Sequence, residues 1–295
     1  MSEGADYTEW TATTWNCFGA AQSLRSFVRW RGAANAHRFR HPELLRRLHE
    51  FDVLCTQEIW LSDVEEFFDG LPHPHKVRDP NANTLWPPTL GGSGLGVATR
   101  FPILSSKTRS FGGRKVHAER LARKGMLHVR VGVAPGIEVD LVTTHMQAGY
   151  TPDAAAVRQD QLAQLRAFAD EVASPARTLI VCGDLNVSGL THVRDREYVH
   201  LQKHFAGFDD LFVEEDAPTF RPHPEGNGLA FRFEPKSPMQ RLDYMLFRAP
   251  TEGTATEVVA RRLVLHERLP PHGGEAETDT SDHDGLTIVL RSRIL

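Results

Sequence analysis

Cysteine is scarce in this chain: three among 295 residues, Cys17, Cys55 and Cys182. An odd count with no close spacing argues against a disulfide framework or a cysteine-based zinc site. Each falls in an apolar stretch (TTWNC, DVLC, LIVC), which predicts buried small hydrophobes in a reducing compartment. Long apolar runs are lacking too, since none approaches the ~20 residues that span a bilayer. The opening MSEGADYTEW has neither a basic nor an apolar segment, so no signal peptide is expected and the protein reads as cytoplasmic. A processed secreted chain would read the same. Net positive charge is missing as well. A formal charge of -4 supplies no global field for nucleic acid, so DNA binding would need a local patch. No repeat, charge block or low-complexity linker divides the chain, and one domain over residues 1–295 is expected.

What is there is an ordinary globular composition, 40% hydrophobic and 24% charged. Alternation and short apolar runs predict strands in YTEWTATTWNC, FDVLCTQE, GLGVATR, GMLHVRVGV, IEVDLVTTH, RTLIVCGD, LDYMLFR and GLTIVLRS. HPELLRRLHEF reads as a helix with Leu44, Leu45, Leu48 and Phe51 on one face. Ser62-Asp63-Val64-Glu65 reads as a capping box opening a short helix that Gly70 closes. Thr151-Pro152-Asp153 predicts a capped helix start, running to about Val172. Stretches rich in Pro, Gly or His at Leu71–Gly92, Pro222–Pro238 and Pro270–Thr280 read as long, substrate-facing loops. Many strands with few intervening helices imply two packed sheets with helices outside.

Polar residues gather at strand ends. Asn16, Glu58 and His145 close their strands, and Asp184 and Asn186 follow TLIVC. Asp243, Asp282 and His283 instead open strands near the end of the chain. If those late strands run antiparallel to the others, all of these side chains meet at one rim, an active-site arrangement. Singly, each has an ordinary structural reading as a turn residue, a solvated strand end or a satisfied histidine. Together they point to chemistry. Glu58, with Asn16 and Asp282, offers hard oxygen ligands suited to Mg²⁺ or Mn²⁺. His283 beside an acid is a natural general base, with Asp243 to orient its far nitrogen. Asp184 is placed to position an attacking water. Asn186 and His145 are candidate donors to phosphoryl oxygens. Asp284 reads as a solvated turn residue.

The ordered set TWNC, QE, THMQA, GDLN, RLDYML and SDH, from about Trp15 to Leu290, resembles the endonuclease/exonuclease/phosphatase superfamily. That resemblance implies a DNase I-like four-layer α/β sandwich: two packed mixed β-sheets flanked by helices. SGLGVATRFPI, RKGMLHVRV, THMQAGY with the following AAAVRQDQLAQLRAF, and CGDLNV are similar to the neutral sphingomyelinase branch. This implies Mg²⁺-dependent cleavage of sphingomyelin or a related phospholipid. By match to the family, Glu58 and Asn16 fall at the metal, Asp184, Asn186 and His145 at the phosphate, and His283 at the base. Lys124 lies in a stretch shared with sphingomyelinases, which makes it a substrate-binding candidate. A strand-edge surface lysine is its equal alternative.

A nuclease or DNA-end phosphodiesterase is the rival, because TWN and SDHDGL also resemble the tyrosyl-DNA phosphodiesterase branch. Arg114, Lys115, Arg120, Arg123 and Lys124 would supply its basic groove. The inositol polyphosphate phosphatase motifs are absent. A non-catalytic binding module is a third reading, disfavoured because no acid or imidazole position is missing. Leu85-Trp86-Pro87-Pro88 is a candidate for transient contact with a membrane surface.

Overall fold

A computed structural model describes residues 7–19, 31–79, 84–85, 88–89, 92–116, 122–192 and 196–295. Trp86, Pro87 and Arg120 lie outside the described residues, as do the side chains of Leu85 and Pro88. Thus neither the membrane-contact loop nor the whole of the basic groove is described.

The chain opens with strand β1 (Thr8–Asn16), a 3-10 helix (Ala36–Arg40), helix α1 (Pro42–His49), β2 (Val53–Gln57) and α2 (Ser62–Asp69). Next come β3 (His75–Arg78), a small hairpin of β4 (Thr84–Leu85) and β5 (Pro88–Thr89), β6 (Gly96–Thr99), β7 (Ile103–Ser110), β8 (Gly125–Ala134) and β9 (Ile137–His145). The long helix α3 (Pro152–Val172) leads to β10 (Thr178–Asp184), α4 (Arg196–His204), β11 (Asp209–Asp210) and α5 (Gly228–Phe233). Strands β12 (Asp243–Arg248), β13 (Thr254–Val264) and β14 (Gly285–Ile294) complete the order.

Two six-stranded sheets result, ordered β13-β14-β1-β2-β6-β3 and β11-β12-β10-β9-β8-β7. Each is mixed. The pairs β1/β2 and β9/β10 are parallel, and the other neighbours are antiparallel. Alternation along central strands explains the layering. Val53 and Cys55 of β2, Leu141 of β9, and Ile180 and Cys182 of β10 fill the core between the sheets. Leu54 turns outward under α1 and α2 with Leu44, Leu48, Val64 and Phe68. Leu179 and Val181 turn outward under α3 and α4 with Leu162, Leu165, Phe168, Tyr198 and Leu201. The fold is therefore the expected four-layer α/β sandwich. All three cysteines are buried and unbridged.

Several local expectations fare differently. Thr151 caps α3 as expected, its hydroxyl accepting from the Ala154 amide at 3.2 Å, and the helix ends at Val172. The capping box at Ser62 does not form: Leu61 stands at the N-cap with no side-chain cap bond. Asp63 is drawn away, its Oδ2 accepting from the amides of Gly32 and Ala33 at 3.0 Å each. The long loops at Leu71–Gly92 and Pro222–Pro238 contain β3 and α5. Asp284 is buried, not solvated: Arg221 grips its carboxylate through Nε at 2.7 Å and Nη2 at 3.1 Å.

Candidate active site

Topology brings the strand-end residues together. Asn16 ends β1 opposite Gln57, so Glu58 follows directly beside it. Asp184 ends β10 in register with His145 of β9 on one side and Asp243 of β12 on the other. Strand β14 runs antiparallel to β1, so the residues just before it, Asp282 and His283, reach the same rim. Glu58, His145, Asp184, Asn186, Asp282 and His283 all line one cleft of about 190 Å³.

Backbone at this rim is held in uncommon conformations. Glu58 (φ 68) and Asn186 (φ 54) are both left-handed, which non-glycine residues rarely adopt and which tends to cluster at functional sites. Gly183 has φ 130, and a Cβ there would stand 2.0 Å from the Thr144 carbonyl oxygen. Only glycine lets β10 approach β9 closely enough to set Asp184 beside His145.

His283 Nδ1 and Asp243 Oδ2 are 2.7 Å apart, and both residues are buried. The carboxylate accepts from the Nδ1 side, which leaves Nε2 toward the cleft, 3.9 Å from Asp184 Oδ2. Burial alone would lower the His283 pKa. Asp243, Asp282 and Asp184 outweigh it and hold the imidazole well above its ordinary range.

His145 is opposite in character. Its Nε2 lies 2.8 Å from Lys124 Nζ. An ammonium has no lone pair, so Nε2 must accept and the neutral ring carries its proton on Nδ1. That Nδ1 is buried with no partner among the described residues. Burial, then Lys124 and His283, push this imidazole well below its ordinary range. Lys124 is thus not a strand-edge surface residue. It is buried, also donates to the Met146 carbonyl at 2.7 Å, and stands behind His145.

The acids carry surplus negative charge. Burial raises Asp184 to about 6, with Asp243 adding to the shift. Burial likewise raises Asp282 to about 7, with Glu58 adding to it, and lifts Glu58 itself. The Asn16 amide bridges two of them, donating to Glu58 Oε1 at 3.0 Å and Asp184 Oδ2 at 3.1 Å, while its Oδ1 accepts from the Phe18 amide at 3.0 Å. Glu58 Oε2 is buried with no partner among the described residues. Buried polar atoms are normally satisfied, so such an orphan among crowded acids is what a cation-binding site would show. Among the described residues no three His, Cys, Asp or Glu side chains form a ready-made metal cluster.

Sequence reasoning missed the aromatic walls. Trp60 stacks on His145, with ring centroids 5.7 Å apart and planes at 21°. Its indole packs against Gly94, where a Cβ would meet Nε1 at 2.3 Å. Phe220 lies 5.2 Å from His283, centroid to centroid. Neither residue sits at a recognisable motif, and only the fold brings them here. The described residues lining the cleft include no lysine or arginine, and they do include Glu234 and Tyr150. Arg123 and Lys115 therefore do not line it, and Arg114 is paired with Asp153 at 3.0 Å.

A histidine–carboxylate pair at one rim of a two-sheet sandwich has the make-up of a general base with its orienting acid. The chain belongs to the Endonuclease/Exonuclease/phosphatase family, whose model matches residues 13–283. It is 25% identical over 262 residues to sphingomyelin phosphodiesterase 2 of Rattus norvegicus, covering 82% of this chain and 57% of that protein. A sphingomyelinase of Dictyostelium discoideum is 28% identical over 176 residues, 48% of this chain and 38% of that one. The match thus spans little more than half the length of the first relative and well under half of the second. Among solved structures, SmcL superposes with a TM-score of 0.70 at 20% identity, covering 97% of this chain and 99% of that one. Danio rerio (D. rerio) TDP2 complexed with a single-strand DNA product gives 0.70 at 18% identity, covering 96% and 99%. Both share the fold.

Proposed function

We propose that the protein is a divalent-cation-dependent phosphodiesterase acting on a phospholipid with a cationic headgroup, sphingomyelin or a close relative. One observation carries this reading. The His283–Asp243 pair opens onto a cleft that also holds an unpartnered Glu58 oxygen and an unpartnered His145 nitrogen.

The residues divide the work. In its neutral form, His283 takes a proton from the attacking water at Nε2, and Asp243 fixes the ring's tautomer and orientation. Asp184, 3.9 Å from that nitrogen, positions the water. His145 donates from Nδ1 to a phosphoryl oxygen as charge builds, because Lys124 keeps its other nitrogen an acceptor. Asn186 stands at the same edge as a second donor. Glu58 and Asp282 would hold Mg²⁺ or Mn²⁺, with Asn16 beside them. When bound, the ion supplies positive charge that stabilises the developing phosphoryl charge and offsets the crowded acids.

The lipid reading has its own support. A carboxylate at the mouth of a cleft that takes a phosphodiester anion is unfavourable unless the substrate brings positive charge. Glu234 is that carboxylate, and the Tyr150 ring beside it suits a quaternary ammonium. Tyr150, Phe233 and Met239 are 59%, 39% and 52% exposed. They belong to one side of the mouth: the Tyr150 hydroxyl accepts from Gln240 at 2.9 Å, and the Phe233 ring lies 5.1 Å from Phe18 of the cleft wall. Such apolar exposure fits a lipid surface better than a DNA backbone. The curated relatives are themselves sphingomyelin phosphodiesterases.

The test is incubation with Mg²⁺ and, separately, sphingomyelin vesicles, phosphoinositide vesicles, plasmid DNA and DNA with a blocked 5′ end. Phosphocholine release that is lost in His283→Ala is expected. DNA processing without phosphocholine release would replace the lipid reading with that of a DNA-end phosphodiesterase.

A further inference from the structure

Arg38 is a buried charge that the proposed chemistry does not use. It lies on the 3-10 helix and is fully buried. Among the described residues its guanidinium donates only to main-chain carbonyls. Nε reaches Thr280 at 2.9 Å. Nη1 reaches Ala34, and Asn35 at 3.2 Å. Nη2 reaches Cys17 and Phe18, each at 2.7 Å. A guanidinium has five N–H donors, so this set is complete. The Phe39 ring lies beneath it, 4.2 Å from the guanidinium carbon. No carboxylate is among these hydrogen-bond partners, although arginines are rarely buried unless paired.

The segments it ties together explain the arrangement. Cys17 and Phe18 directly follow Asn16, and Thr280 stands two residues before Asp282. Ser281 adds a stitch, its hydroxyl donating to the Asn16 carbonyl at 2.6 Å. Carbonyls at the end of β1 and just ahead of β14 therefore converge on one rigid, planar donor. One side chain thus bonds main chain on both sides of the proposed ion site.

We infer that Arg38 is a positioning residue for the divalent ion: it fixes the two chain segments that present Asn16 and Asp282. This rests on the metal reading above. It also makes a prediction whose sign separates geometry from charge. A cation near an ion site repels the ion, so if charge were the whole effect, removing it would tighten Mg²⁺ binding and a lysine would change nothing. If the clamp dominates, Arg38→Lys weakens binding although the charge stays, because an ammonium cannot reach the same carbonyls.

Mg²⁺ binding to the full chain, measured by calorimetry without substrate, tests this. Arg38→Lys is expected to raise the Kd about tenfold or more, the range for residues that orient metal ligands. Turnover at saturating Mg²⁺ should recover more than turnover at low Mg²⁺ does. Phe39→Leu, which removes the supporting ring and keeps the guanidinium, should shift the Kd in the same direction by less. It carries the test if Arg38→Lys does not fold. An unchanged Kd in the folded variants, or a lowered thermal midpoint with no change in Kd, overturns the inference alone. Absence of divalent-ion binding by the wild type overturns the metal reading and the inference with it.

Discussion

Two buried polar clusters in this molecule are built in opposite ways. Asp140, in the middle of β9, is one carboxylate surrounded by donors, an imidazole and two guanidiniums: His128 at 2.8 Å, Arg130 at 3.1 Å and Arg177 at 2.6 Å. Burial would raise its pKa, but those three partners outweigh burial and lower it. The cleft gathers Glu58, Asp184, Asp243 and Asp282 around two histidines, and three of those acids are pushed up. Both of Asp140's oxygens are bonded, whereas Glu58 Oε2, Asp243 Oδ1 and His145 Nδ1 have no partner among the described residues. Charge that is balanced internally holds a fold together. Charge left in surplus needs something from outside, and perturbed acids in a cleft are where chemistry is expected.

Disabling the two clusters one at a time should separate their roles most clearly. His283→Ala should cost about 10²–10⁴ in turnover, the usual contribution of a positioned acid or base. The midpoint of thermal unfolding should fall too, because Asp243 is left buried without its partner. A loss of turnover below tenfold would remove His283 from the base role. Asp140→Asn should cost stability alone. It leaves His128 and two arginines facing a neutral amide. The arginines keep some solvent, so about 2–3 kcal/mol of stability should go, less than for a fully buried pair. Turnover should be unchanged wherever the variant is folded. Denaturant titration with parallel assays checks both halves.

The cleft was far more legible in the sequence than the rest of the fold. Chemistry placed at strand ends leaves a signature, because an apolar run stops on a polar residue whose type can be read. Asn16, Glu58, His145, Asp184, Asn186, Asp243, Asp282 and His283 were found that way, and the structure brings them to one rim. Strand β7 could not be found so. Nearly all of ILSSKTRS is exposed, and it is a strand because β8 pairs with it. In β13, Arg261 and Arg262 interrupt the apolar alternation, and pairing with β14 along its length supplies what the pattern lacks. Arg38 and Asp284 were unreadable for another reason. An arginine bonded to carbonyls looks like any surface arginine, and a buried aspartate next to a glycine looks like a turn. Their partners lie far away in the sequence.

A smaller change sharpens the contrast from the cleft side. Glu58→Gln removes one excess negative charge and one unpartnered oxygen. It should raise the Mg²⁺ concentration for half-maximal activity about tenfold or more. It should also leave the metal-free protein as stable as before or slightly more so, since one charge no longer has to be buried. An unchanged metal titration takes Glu58 out of the ion site.

The weakest effect is the pH dependence, where the two clusters should have opposite signs. Asp140 has a folded pKa below its unfolded value, so its stabilisation is present above the unfolded value near pH 4 and is lost as pH falls through the folded one. Asp184 and Asp282 have folded values raised to about 6 and about 7. Between pH 4 and those values the folded state keeps protons that the unfolded chain has released, so stability falls as pH rises. His283 has the same sign at higher pH: its contribution is present below its unfolded value near 6.5 and is lost as pH rises through the raised folded value. His145 opposes them: its folded value is depressed, so stability from this group rises with pH up to its unfolded value near 6.5. One group stands against three, so the metal-free protein should melt lower at pH 7.5 than at pH 5, and Asp140→Asn should lower both midpoints without removing that slope. Mg²⁺ should raise the midpoint more at pH 7.5, where the cleft's acids are ionised and can take it. A metal-free midpoint that rises from pH 5 to 7.5 would mean that the cleft's acids are already balanced from within, as Asp140 is, and that the cleft has no need of a cation.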